Sequence, residues 1–171
     1  GARGGVWSVH SVLKYVARQA KSRGWFALID AGALITGFTN LEVAQQLMRL
    51  GLEQDGFRGV VYLDKSDRKC VLMADGRAAV PLATCGLSPE QRFTFFDQMH
   101  CTGMDIPQDP NAEAVATLGK GMTQRDHAQA CFRMRQFGPG MGQRIMVLVI
   151  PEISQQIKEV AASLPNIEDE Q

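Results

Sequence analysis

The chain has 171 residues, 45% of them hydrophobic and 21% charged, enough for one globular core and too few for two ordinary domains. Eighteen Lys and Arg balance eighteen Asp and Glu, so no global field gathers nucleic acid or an anionic membrane, and such a partner would have to meet a local patch. No apolar run approaches the roughly 18–20 residues of a membrane span. The opening Gly1-Ala-Arg-Gly-Gly5 has neither a signal-peptide apolar stretch nor an initiating Met. The expectation is a soluble piece of a longer protein, with residues 1–5 a flexible end, 6–164 a single domain and 165–171 an acidic end.

In chain order, Val9, Val12, Leu13, Val16, Ala17 and Ala20 share one helical stripe opposite Lys14, Arg18 and Lys21, and Gly24 ends that helix. Residues 25–30 are a continuous apolar run closed by Asp30, as in a strand buried on both faces. Asn40 is placed to cap a second helix with Leu41, Ala44, Leu47 and Met48 on one face, stopped by Gly51 to Gly56. Two β-rich runs, 60–63 and 70–73, flank the polar 64–69 and suggest a hairpin. Residues 78–87 read as a loop with one short strand, and 92–97 and 113–118 as strands. Thr123-Gln-Arg-Asp126 has the capping-box spacing of a helix running to about Phe137. Gly138 to Gly142 is a turn, 144–150 a strand, and Pro151 opens a last helix with Ile153, Ile157, Val160 and Leu164 inward. Alternating strands and helices predict an α/β fold: a mainly parallel sheet with helices on both faces.

Cys70, Cys85, Cys101 and Cys131 lie about fifteen to thirty residues apart with no CxxC or CxxH pair. That spacing predicts neither zinc nor a disulfide framework, and it fits a cytoplasmic or nuclear compartment. In a parallel sheet, ligands meet the loops at the carboxyl ends of strands. Two segments suit that role. Thr102, Gly103 and Asp105 follow a strand, with the glycine allowing backbone to approach a ligand. Gln129 and Arg133 are four apart on the helix expected at 123–137, with Arg135 beside them, and a guanidinium fork matches phosphate. The plainer alternatives are a capped strand-to-loop turn for the first and a solvated polar helix face for the second. A rival chemistry is a thiol nucleophile, Cys101, with His127 as base and Asp97 or Asp126 to orient it, against the alternative of a buried inert thiol. Met99, Met104, Met122, Met134 and Met141 fall around these segments and would give an adaptable apolar lining.

Over residues 97–149, the Thr102-Gly-Met-Asp-Ile106 segment after a strand, followed by a Gln and Arg helix, resembles motifs V and VI in the second RecA-like lobe of superfamily 2 helicases and SecA-like ATPases. The resemblance implies nucleotide-binding roles for Thr102, Gly103 and Asp105 and catalytic roles for Gln129, Arg133 and Arg135. Gln136 stands where the usual arginine finger would be, and Arg135 is one residue early, which leaves open a non-catalytic scaffold that keeps the RecA-like fold without its chemistry. The runs Ala27-Leu-Ile-Asp-Ala-Gly-Ala-Leu-Ile-Thr-Gly37, Gly59-Val-Val-Tyr-Leu-Asp64, Arg92-Phe-Thr-Phe-Phe-Asp-Gln-Met-His100 and Arg133-Met-Arg135 are similar to a segment of very large eukaryotic proteins that often carry the label ubiquitinyl hydrolase. Members of that group also resemble ATPases upstream, with a Gly-Lys-Ser/Thr phosphate loop. This chain has no GxxxxGK[ST], so the resemblance implies ATP with Mg2+ only together with a preceding lobe, and no cofactor for this piece alone. The implied partners are that upstream lobe and ubiquitin or nucleic acid, without a membrane.

Overall fold

A computed structural model describes residues 8–75, 78–100, 106–109, 111–118, 144–149 and 158–162. Its helices are α1 (Val9–Arg23) and α2 (Asn40–Leu47), and its strands are β1 (Trp25–Ile29), β2 (Gly59–Leu63), β3 (Lys69–Met73), β4 (Val80–Pro81), β5 (Arg92–Phe96), β6 (Glu113–Leu118), β7 (Arg144–Val149) and β8 (Lys158–Ala162). One mixed sheet takes the order β4-β3-β2-β5-β1-β6-β7-β8. The five central strands β2, β5, β1, β6 and β7 are parallel, whereas β3, β4 and β8 run antiparallel to their neighbours. The protein is therefore α/β with a mainly parallel sheet.

The parallel centre explains why its strands read as continuous apolar runs. Val60, Tyr62, Phe93, Phe95, Leu28 and Val115 pack on one face against α1 and α2, while Val61, Leu63, Phe96, Ile29, Ala114 and Ala116 form the core of the other. Both described α-helices lie on the first face. The opposite face receives Val80, Leu82, Leu87 and Ile106.

α1 follows its predicted stripe, with Val12, Leu13, Val16, Ala17 and Ala20 buried, Ser8 capping its start and Gly24 closing it in the left-handed region at φ 75°. The cap of α2 is Thr39 rather than Asn40. Thr39 accepts from the Glu42 backbone while the Glu42 carboxylate accepts from the Thr39 N–H, a reciprocal capping box. Asn40 is the first helical residue, and its amide reaches across to the Leu63 carbonyl at 2.8 Å. As expected, the helical backbone breaks at Gly51, whose φ of 167° and ψ of −25° are non-helical and kink the segment Met48–Leu52 that follows α2. Gly51 is there for proximity: a Cβ on it would stand 2.9 Å from the Ala17 carbonyl oxygen of α1. Because that neighbour is backbone, Gly51→Ala is expected to cost about 1–3 kcal/mol by forcing α1 away. Urea denaturation of the variant measures it, and an unchanged midpoint would show that the two helices separate freely.

The last helix predicted from Pro151 is corrected over the described part: residues 158–162 form β8, antiparallel to β7 with Val160 opposite Val147. The spacing of Ile153, Ile157, Val160 and Leu164 suits a helix, but local period loses to the open hydrogen-bonding edge of β7, which a paired strand satisfies. Lys158 and Glu159 are charges typical of an edge strand.

Candidate functional site

The chain leaves β1 toward β2 on one side of the sheet, while β6 leads on to β7 on the other. The reversal falls between the carboxyl ends of β1 and β6, where ligand crevices of parallel sheets lie. Here that position is closed by Asp30, which is only 2% exposed. Its Oδ1 accepts from the Thr117 hydroxyl at 2.8 Å and the Leu34 N–H at 2.9 Å, and its Oδ2 accepts from the Ile35 N–H at 3.0 Å. The Asp30 carbonyl takes the Ala33 N–H, and the Gly32 N–H donates to Thr117 Oγ1 at 3.1 Å. Three consecutive donors therefore converge on one aspartate, which holds Ala33 in the left-handed region at φ 54°, a conformation costing about 1–2 kcal/mol for a residue with a Cβ. The result is a fixed loop that delivers Phe38 and the α2 start to the neighbouring edge.

An open cleft of about 500 Å3 lies there, lined by Phe38, Thr39, Tyr62, Asp64, Asp97 and His100 among others. Among the described residues the two exposed large hydrophobics, Phe38 at 40% and Met99 at 81%, both border it. A cleft of this size with convergent polar groups is the usual form of a binding site.

The cleft wall is the β2–β3 hairpin tip, organised by Asp64. Asp64 Oδ1 accepts from the Ser66 and Arg68 backbones, each at 2.9 Å, and Oδ2 from the Arg68 Nε at 2.8 Å. These bonds, that from the Arg68 backbone foremost, hold the Asp64 carboxyl below its ordinary value. Tyr62 is pushed up to about 12 by burial, then by Cys70 and Asp64. The Cys70 thiol is raised by burial and by Asp64, whose Oδ2 lies 3.7 Å from its sulfur, which suits a resting thiol and not a nucleophile. The tight tip puts Asp67 at φ 61°, which aspartate tolerates.

Across the cleft floor, Asp97 and the turn Gln98–His100 continue from β5. His100 Nδ1 lies 2.6 Å from Asp97 Oδ1, and its Nε2 lies 2.7 Å from Asp67 Oδ1. Burial opposes charge on this imidazole, but its hydrogen bonds to Asp97 and then Asp67 outweigh that and raise its pKa above the ordinary value.

Neither a family model, nor a curated protein, nor a solved structure matches this chain. The residues expected to carry chemistry, Thr102, Gly103, Asp105, Gln129, Arg133 and Arg135, with Cys101 and His127 of the rival reading, lie outside the described residues. What the structure fixes is their approach: β5 ends at Phe96, the chain re-enters at buried Ile106, and Gln108 donates to Thr94 of β5 at 3.1 Å. Asp97, one of the two carboxylates expected to orient His127, lies against His100, and His127 itself is outside the described residues. Sequence reading missed the Asp30–Thr117 bond and the Asp97–His100–Asp67 bridge. The second left no local signal, since Asp67 is 33 residues from His100. Among the described residues no group of three or more His, Cys, Asp or Glu gathers as a metal site, and no helix is long and apolar enough to cross a membrane.

Proposed function

We propose that this domain is the second RecA-like lobe of a helicase- or SecA-like NTPase, supplying a loop and an arginine-bearing segment to a nucleotide held by a preceding lobe. The observation that carries the reading is the run of five parallel strands. β5 hands over at its carboxyl end to the segment containing Thr102, Gly103 and Asp105, and the parallel neighbours β6 and β7 bracket the segment containing Gln129, Arg133 and Arg135. Parallel neighbours need a crossover connection of a dozen residues or more, usually helical. The cleft itself does not suit phosphate, because Asp64, Asp67 and Asp97 all line it. The fit of ATP with Mg2+ to this chain therefore rests on the two motif segments, with Thr102 and Gly103 approaching the nucleotide and Arg133 or Arg135 offering a cation to developing phosphate charge.

The test compares the 171-residue chain with a longer one carrying its upstream sequence. The short chain is expected to hydrolyse no ATP. The longer chain is expected to turn it over, with kcat falling about tenfold to a hundredfold on Arg133→Ala or Arg135→Ala. Turnover by the short chain, or a longer chain indifferent to both arginines, would overturn the proposal.

A further inference from the structure

Both ring nitrogens of His100 face carboxylate oxygens, Asp97 at 2.6 Å and Asp67 at 2.7 Å. An ionised carboxylate only accepts hydrogen bonds, and a neutral imidazole carries a single N–H. The two contacts can both be hydrogen bonds only if the ring is an imidazolium. The bridge joins two parts of the fold: Asp67 belongs to the hairpin tip after β2, while Asp97 and His100 belong to the turn after β5.

We propose that His100 is a protonation-dependent clasp, which as imidazolium fastens the β2–β3 hairpin tip to the carboxyl end of β5 and on losing its proton releases the hairpin side. The two ends of the clasp are unequal, and this decides which one opens. Asp97 is three residues from His100, and its side chain is 21% exposed, whereas the Asp67 side chain is 72% exposed and sits on a separate loop. The neutral ring therefore keeps its proton on Nδ1 for Asp97. It then turns the Nε2 lone pair toward the Asp67 carboxylate, which is a repulsive contact. The other charged or titratable groups lining the same cleft are Asp64, already satisfied by Ser66 and Arg68, Lys65 and Tyr62. Tyr62 titrates far above the range concerned. Because Asp67, Asp97 and His100 all line the cleft, release at the hairpin side widens its mouth.

The sign follows from linkage. The folded imidazole binds its proton more tightly than the unfolded one, so the stabilisation by the clasp is complete below the unfolded value of about 6.5. It disappears as pH rises through the higher folded value.

Long-range proton–nitrogen NMR of the 171-residue chain across pH 5–9, with His100 assigned by its loss in His100→Gln, tests the clasp. Expected are two protonated ring nitrogens at low pH, a midpoint above the ordinary value, and an Nδ1–H tautomer at high pH. The Ser66, Asp67 and Arg68 amides should shift with the same midpoint. Asp67→Asn, an exposed change that should leave the fold intact, is expected to lower that midpoint and uncouple those amides from it. An ordinary midpoint, an Nε2–H tautomer at high pH, amides that do not follow the ring, or a midpoint indifferent to Asp67→Asn would each overturn the proposal.

Discussion

Asp30→Ala is expected to destabilise the protein by about 3–5 kcal/mol, because it removes an acceptor from three donors at once and leaves them in a largely buried place where each unmet bond costs about 1–3 kcal/mol. The donors are the Leu34 and Ile35 N–H groups and the Thr117 hydroxyl. Thr117→Val breaks only one of these bonds plus the weaker one from Gly32, and about 1–2 kcal/mol is expected. The two residues share a network, so the double variant should fall short of the sum by at least 0.5 kcal/mol, on the order expected for coupled groups. Urea denaturation of the four proteins measures all of this. A loss below about 1 kcal/mol for Asp30→Ala would mean that Leu34 and Ile35 hold the loop by apolar contact alone. Since the loop leads into Phe38 and the Thr39 cap at the cleft, the same variant should also alter the cleft-side amides under native conditions.

Asp30 also shows where sequence reading reaches its limit. Its strand was legible, because a strand packed on both faces, with four of its five residues buried, leaves a continuous apolar run. The helix before it was legible through its stripe and closing glycine, and the hairpin through two β-rich runs around a polar tip. Each of those signals is contained within about fifteen residues. The partner of Asp30 is not: Thr117 is 87 residues away, and its proximity follows from β6 lying beside β1 in a sheet whose order no local pattern encodes. The His100 clasp needs one such non-local fact, the adjacency of β2 to β5, besides the left-handed backbone of Asp67. Residues 158–162 failed in the opposite direction, since a sound local period was overridden by a strand edge elsewhere. The Thr-Gly and arginine segments lie outside the described residues, which define only the strand end, that of β5, from which the Thr-Gly segment departs.

The hydrogen-bonded carboxylates Asp30, Asp64 and Asp97 stand directly after β1, β2 and β5, at the carboxyl ends of the strands, whereas an aromatic row packs at the amino ends. Phe57, two residues before β2, packs edge-on to Phe26 at 5.8 Å and to Phe93 at 5.7 Å, with Lys21 Nζ 5.8 Å from its ring centre. Phe26 and Phe93 are the second residues of β1 and β5, so this row ties the amino ends of the strands to the end of α1. Phe57→Ala is expected to cost about 3–5 kcal/mol, from lost transfer energy, a cavity and two aromatic pairs. Phe57→Leu fills most of that space and should cost about 1–2 kcal/mol. The discriminating measurement is made on the leucine variant, which stays folded: its urea midpoint should fall while the His100 titration midpoint stays where it is in the parent. A shift in that titration would show that the two edges are mechanically coupled through the sheet. An unmoved titration would mean that packing at the amino edge can loosen without altering the proton equilibrium of His100 at the carboxyl edge.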